Sequence, residues 1–154
     1  KFFCMPGWRL GWSIVPKTLE KNFLKLAQNL FISSSNIAQF SALKSFDSIK
    51  ELKINVENYK ISRDIVINEL SKIPQIKFSK PYGGFYVYID IRKTKLDSSV
   101  LVEKILLETG VALTPGKDFD KINGKNAIRL SFSTDKQKVL KALKKLIKWF
   151  KRNY

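Results

Sequence analysis

The sequence predicts a mixed α/β chain, with a helical first half followed by an α+β segment. Residues 85–91 and 127–133 are rich in aromatic and β-branched side chains, which is the composition of strands. Residues 48–72 carry apolar side chains at a spacing of three or four, which is typical of one long helix. Proline and glycine separate these stretches and mark the turns between the elements.

One strand and three helices are predicted in the first half. Residues 8–15 (WRLGWSIV) are predicted as a buried strand that Pro16 ends. Residues 17–30 and 37–46 are predicted as helices, and the Ser/Asn run at 33–36 supplies N-cap side chains for the second. The long helix at 48–72 ends before Pro74.

A small sheet with two helices is predicted in the second half. Its strands are predicted at 76–78, 85–91, 111–114 and 127–133. A helix over 99–108 is predicted, with Asp97 or Ser98 as its N-cap and Gly110 as its end, and the last helix starts at Thr134 or Asp135. That last helix is apolar on one side and rich in lysine on the other. We expect its apolar side to pack on the sheet rather than on a membrane.

Composition excludes several kinds of site. The chain has no histidine, so neither a Ser-His-Asp triad nor a histidine-ligated zinc centre can form within it, and we expect no metal site. Cys4 is the only cysteine, which excludes an internal disulfide and is compatible with a reducing compartment; we expect a cytoplasmic protein. No apolar run approaches the roughly 18 residues of a membrane span.

The net charge of +16 is compatible with binding to nucleic acid or to an anionic membrane. The lysines are spread along the chain, however, so we expect a solvated surface and neither of those partners. Arginine is scarce, at positions 9, 63, 92, 129 and 152. Arg9 and Arg129 stand inside apolar strings, where a charge needs a defined partner.

The opening string KFFCMPGWRLGW sets Lys1 eight residues before Arg9, with Pro6 and Gly7 between them. An amine that can form a Schiff base therefore lies close in sequence to a permanent cation that can bind a phosphate. Pyridoxal 5'-phosphate carries both matching groups, an aldehyde and a phosphate. On spacing alone, a basic loop that leads into a strand explains the pair as well.

The same string resembles the cofactor-lysine segment of the class I/II aminotransferases, the fold-type-I family that uses pyridoxal 5'-phosphate. Three further strings resemble the family in the family's order: PYGGFYVYIDI at 81–91, GVALTPGKDF at 110–119 and AIRLSFS at 127–133. The resemblance spans nearly the whole chain. It implies the end of the large cofactor-binding domain at 1–49, an interdomain helix at 50–73 and a small C-terminal α/β domain at 74–154.

The resemblance also implies the role of three residues. Lys1 would hold the cofactor aldehyde and move the proton during transfer of an amino group between an amino acid and a 2-oxo acid. Arg9 would bind the cofactor phosphate, and Arg129 would bind the substrate α-carboxylate. Pro115, Gly116 and Phe119 would shape the site, and the side chains of the two tryptophans at 8 and 12 are expected in the core.

A longer homodimeric enzyme is implied as well, of which this chain would be the C-terminal part, cut at the cofactor lysine. Such a piece is expected to expose apolar surface and to bind the cofactor poorly by itself. The alternatives are another reaction of the same cofactor on the same scaffold (a β-lyase, a racemase or a cyclopropane-forming synthase), a basic nucleic-acid-binding module, and an interaction module that acts through the last helix.

Overall fold

A computed structural model describes residues 2–154, which form five helices and four short strands joined by turns. The helices are α1 (Lys17–Leu30), α2 (Asn36–Ser45), α3 (Ile49–Leu70), α4 (Ser98–Thr109) and α5 (Lys136–Asn153). The strands are β1 (Lys77–Phe78), β2 (Tyr86–Asp90), β3 (Thr114–Pro115) and β4 (Ala127–Ser131). The predicted α/β class is confirmed. The chain divides into two compact units, one ending at Val56 and the other comprising Glu57–Tyr154.

The first unit contains α1, α2 and the beginning of α3, and it buries few side chains. Its buried apolar residues are small or isolated: Ala38, Ala42 and Leu52. An aromatic cluster adds to them, with ring centroids 4.9 to 5.8 Å apart; its members are Phe3, Trp12 and Phe46. Helix α1 buries none of its residues, although several of its side chains are apolar. The apolar surface expected of this part of the chain is therefore present.

The strand predicted over residues 8–15 is wrong. Pro6–Trp8 form a 3₁₀ turn, Arg9 adopts a left-handed backbone with φ of 53°, and residues 10–16 have no regular structure. A strand needs a neighbour for its backbone hydrogen bonds, and every strand pair in residues 2–154 lies between positions 77 and 131. The expected burial of Trp8 and Trp12 is wrong too, since these side chains are 47% and 60% exposed.

In the second unit the four strands form an antiparallel sheet in the order β1-β2-β4-β3. Successive side chains of a strand point to opposite faces, so one face of β2 and β4 is buried and the other carries polar side chains. The buried face shares one core cluster with residues of α3, α4 and α5. Its fully buried members include Val66, Leu70, Val87, Ile89, Leu101, Ile105, Ile128, Phe132, Leu143, Leu146 and Phe150.

The predicted ends of α4 and α5 are confirmed by their caps. The Asp97 carboxylate accepts a hydrogen bond from the backbone N–H of Ser99, and Asp135 does the same for the N–H groups that open α5. Gly110 ends α4 with φ of 71°, a conformation that side chains disfavour. The apolar side of α5 packs into the core as expected, and Trp149 is buried in the same core. Of the helices in residues 2–154, none has the length and apolar character that crossing a bilayer requires.

Two glycines hold the loop between β3 and β4 close to the sheet. A Cβ atom on Gly116 would lie 2.6 Å from the carbonyl oxygens of Gly124 and Ala127, and 2.7 Å from the Tyr88 hydroxyl. A Cβ atom on Gly124 would lie 2.5 Å from the Gly116 oxygen. Because these contacts are mostly with backbone atoms, only glycine fits at both positions. The loop is thereby fixed against the start of β4.

We expect the Gly116→Ala substitution to destabilise the second unit by about 2 kcal/mol, because the added methyl group meets backbone that cannot move aside. The Gly83→Ala variant is the matched control, since no heavy atom lies within 4 Å of a Cβ placed there. Denaturant unfolding of both variants measures the difference. Equal stability of the two variants would contradict the close backbone packing described here.

Candidate functional site

Arg129 lies on β4 and points away from the core, so strand pairing determines its neighbours. Tyr88 of β2 pairs with it on one side, and Thr114 of β3 pairs with it on the other. Its side chain is half-buried on the polar face of the sheet. A cation in this position is surrounded by strand residues on both flanks, which limits the directions from which a ligand can reach it.

Two aromatic rings pack on the guanidinium of Arg129. Its Cζ atom lies 4.4 Å from the ring centroid of Tyr86 and 4.1 Å from that of Phe119. These are close cation–π distances. A guanidinium that contacts rings through its π surface keeps its N–H donors, which lie in its own plane, for other partners.

Those donors have few acceptors. Nη2 makes a long contact of 3.4 Å with the Thr114 hydroxyl, and Nε is buried without a hydrogen-bond partner among residues 2–154. Within residues 2–154, no carboxylate lies within ion-pair distance of this arginine. A buried donor without an acceptor is destabilising, so such groups in native structures are usually paired with protein, water, an ion or a ligand. The arrangement suits a planar anion such as a carboxylate.

Two carboxylates of the surrounding loops already have partners. Asp97 forms an ion pair of 2.6 Å with Lys117, and its pKa is lowered by Lys117 and then by the N–H of Ser99. The pKa of Asp120 is lowered because its carboxylate accepts hydrogen bonds from the backbone N–H groups of Asn123 and Ile122. These negative charges stabilise the loop itself.

Tyr88, which pairs with Arg129 across the sheet, has a raised pKa. Burial is the main cause, and the negative charge of Asp120 adds to it. Both effects disfavour the phenolate form of this side chain. Tyr88 therefore stays neutral at physiological pH and brings no negative charge to Arg129.

Arg9 lies in the first unit, where it lines a cavity of about 550 Å³. The cavity is lined by Phe2, Phe3, Met5, Pro6, Arg9, Leu10, Gly11, Trp12, Ala42 and Ser45. The Arg9 guanidinium donates one hydrogen bond of 3.1 Å to the Pro6 carbonyl, and in the described part of the chain it has no carboxylate partner. No heavy atom lies within 4 Å of a Cβ placed on Gly7 or Gly11, so the backbone beside Arg9 is open to a ligand.

These features fit a phosphate group. An arginine offers several charge-assisted hydrogen bonds to phosphate oxygens, and adjacent glycines allow the backbone to approach them. Lys1, the third residue that the sequence singles out, lies outside the described residues. Arg9 belongs to the first unit and Arg129 to the second.

Two neighbours of Arg129 were not foreseen as site residues. Tyr86 lies on the same face of the sheet as Arg129. The alternation of side chains in residues 85–91 could have predicted which face Tyr86 occupies. Thr114 meets Arg129 only because β3 pairs with β4 in this register, which the separate strings do not reveal. Phe119 was expected to shape the site, and its ring contacts the guanidinium of Arg129.

Comparison with known proteins gives consistent matches. The model of the family "Aminotransferase class I and II" matches residues 1–146. A valine–pyruvate aminotransferase of Mycobacterium tuberculosis is 33% identical over 97% of this chain and 39% of its own length. An aspartate aminotransferase of Pyrococcus horikoshii is 33% identical over 96% of this chain and 38% of its own length.

Solved structures agree with those relatives. A crystal structure of an aminotransferase from Mycobacterium tuberculosis superimposes with a TM-score of 0.88 at 32% identity, covering 99% of this chain and 40% of that one. An aromatic aminotransferase from Pyrococcus horikoshii gives a TM-score of 0.83 at 28% identity, covering 99% of this chain and 41% of that one. The chain spans about two fifths of the length of its curated relatives, which it covers to 39% and 38%.

The loop carboxylates give a pH prediction. The folded-state pKa of Asp120 lies below its ordinary value of 3.8, so its stabilising effect is present above that pH and is lost as the pH falls through the folded pKa. The Asp120→Asn variant should therefore be less stable than wild type at neutral pH, and the difference should shrink below about pH 3.8. Thermal unfolding at both pH values measures this. A difference independent of pH would show that the charge does not stabilise the loop.

Proposed function

Because the chain belongs to the family of class I and II aminotransferases, we propose that the enzyme containing it transfers an amino group between an amino acid and a 2-oxo acid. The observation that carries this proposal is the Arg129 guanidinium, which packs on two rings and has no carboxylate partner among residues 2–154. A substrate carboxylate is the planar anion that such a group binds in two-pronged fashion.

The cofactor that we propose is pyridoxal 5'-phosphate. When bound, it supplies an electron-withdrawing ring that stabilises the negative charge left on the substrate Cα after proton removal. Arg9 would bind its phosphate, which the cavity, the open glycines and the free donors of this side chain support. Lys1 would hold the aldehyde end covalently and, once released, would move the proton with its amine.

Arg129 would orient the substrate rather than react with it. A carboxylate held by two parallel N–H···O bonds cannot rotate freely, so the bond between Cα and its hydrogen keeps one direction relative to the cofactor ring. The rings of Tyr86 and Phe119 support this role because they restrict the guanidinium before a substrate binds. Other side chains, which would contact the rest of the substrate, would determine the preference for a particular amino acid.

We further propose the domain organisation implied by the sequence, with a large-domain segment at 1–49, an interdomain helix at 50–73 and a small domain at 74–154. Helix α3 supports it, since it runs unbroken over Ile49–Leu70, and residues 57–154 possess their own core. We also propose a homodimeric enzyme. The exposed apolar side chains of α1 support further protein contacts for the first unit.

Replacement of Arg129 tests the carboxylate role. We expect Arg129→Lys to lower kcat/KM for both the amino acid and the oxo acid by about a hundredfold, because lysine keeps the charge but loses the planar, two-pronged geometry. Arg92→Lys is the matched control, as this arginine is exposed and paired with Asp90. Steady-state kinetics of the enzyme that contains the chain provide the measurement. Unchanged kinetics in Arg129→Lys would refute the role.

Replacement of Lys1 tests the cofactor role. We expect Lys1→Ala to abolish the visible absorbance band of covalently held pyridoxal 5'-phosphate and to lower kcat by at least about a thousandfold. Lys17→Ala, on exposed α1, should leave both unchanged. Product analysis with amino acid and oxo acid then separates amino-group transfer from elimination, racemisation or ring formation. An intact band in Lys1→Ala would show that another residue holds the cofactor.

A further inference from the structure

Phe119 follows β3 in the loop that returns to β4, and its ring is 52% exposed. An exposed phenyl ring has little to gain from the core of its own unit. The Cζ atom of Arg129 lies 4.1 Å from the centroid of this ring, nearer than the 4.4 Å that separate it from the ring centroid of Tyr86. The contact therefore connects a loop residue directly to the cation on the sheet.

Hydrogen bonds and close backbone packing hold the loop that carries Phe119. The N–H of Phe119 donates to the Gly116 carbonyl at 2.9 Å, and Gly116 packs against the backbone of Gly124. One position further along the chain, the Asp120 carboxylate accepts hydrogen bonds from the backbone N–H groups of Ile122 and Asn123, at 2.8 and 3.0 Å. The backbone at Phe119 is thus held beside the start of β4, and from there the ring reaches the Arg129 guanidinium.

A long arginine side chain loses conformational freedom when it binds a ligand, and this loss weakens binding. A side chain that neighbouring groups already hold in its bound orientation loses less. Phe119 contacts the guanidinium carbon, and the N–H donors remain in the plane of the group. A ring in this position restricts the direction of the donors without competing with the ligand for them.

We infer that Phe119 is a positioning residue of this site: through its ring it holds the Arg129 guanidinium in the orientation that receives the carboxylate of the substrate. The inference rests on the carboxylate role proposed for Arg129. It assigns to Phe119 no contact with the reacting atoms. The ring acts through its π surface, so an aliphatic side chain of similar size does not replace it.

The test uses Phe119→Leu and Phe119→Tyr in the enzyme that contains the chain. Phe119→Leu should raise KM for amino acid and oxo acid about tenfold and leave kcat within about twofold, with cofactor absorbance and thermal stability near wild type. It should weaken competitive inhibition by propionate, a carboxylate without an amino group, by the same factor. Phe119→Tyr keeps the ring and should restore wild-type values.

Ile122→Ala is the matched control, because this side chain is 84% exposed in the same loop. It should leave KM and propionate inhibition unchanged. A double-mutant cycle with Arg129→Lys completes the design. If Phe119 acts through Arg129, Phe119→Leu has no further effect on KM once the guanidinium is absent, whereas a merely structural role adds the same loss in both backgrounds.

The outcomes separate the inference from the proposed function. If Arg129→Lys loses affinity for propionate and Phe119→Leu does not, the inference is overturned and the carboxylate role stands. An additive cycle, or a failure of Phe119→Tyr to restore KM, also overturns the inference. If Arg129→Lys itself leaves propionate inhibition unchanged, the proposed carboxylate role is wrong and the inference falls with it.

Discussion

The pairing of β2 with β4 is the constraint on which the rest of the second unit depends. Its register places Val87 and Ile89 in the core together with Ile128 and Leu130, and it sets Tyr88 opposite Arg129 on the other face. A shift by one residue would exchange the two faces, burying the arginine and exposing the aliphatic side chains. The burial of the core therefore fixes the face of the sheet on which Arg129 lies, so the stability of the unit and the proposed carboxylate role depend on the same backbone hydrogen bonds.

Much of this unit could be predicted from sequence because its signals are local. Alternation in residues 85–91, Asp97 as the cap of α4 and Gly110 at its end all act within a few residues of the structure that they determine. The partners of Arg129 were harder to foresee, because Thr114 and Phe119 reach it through strand pairing and loop packing. Such contacts depend on how separate elements meet, which periodicity does not encode.

The strand predicted at 8–15 shows the opposite situation. Its aromatic and aliphatic composition suits a buried strand, yet in residues 2–154 no strand lies beside it to accept its hydrogen bonds, and Ile14 is 97% exposed. Composition reports the environment that a segment is suited to, whereas structure forms only where the partner is present. The predicted helices of this unit were right because a helix satisfies its backbone internally, and α1 forms without burying any residue.

If Arg129 binds a substrate carboxylate, as proposed, stability and function make opposite demands on this residue. A carboxylate beside the guanidinium, or an apolar side chain in its place, would remove the buried donor that has no acceptor and would stabilise the fold. Either change would also remove the proposed capacity to bind an anion. The chain keeps the cation and places the rings of Tyr86 and Phe119 against it, which attract its positive charge. Aromatic packing thus stabilises the charge without adding a negative charge, so the carboxylate of a substrate would not have to displace an ion-pair partner.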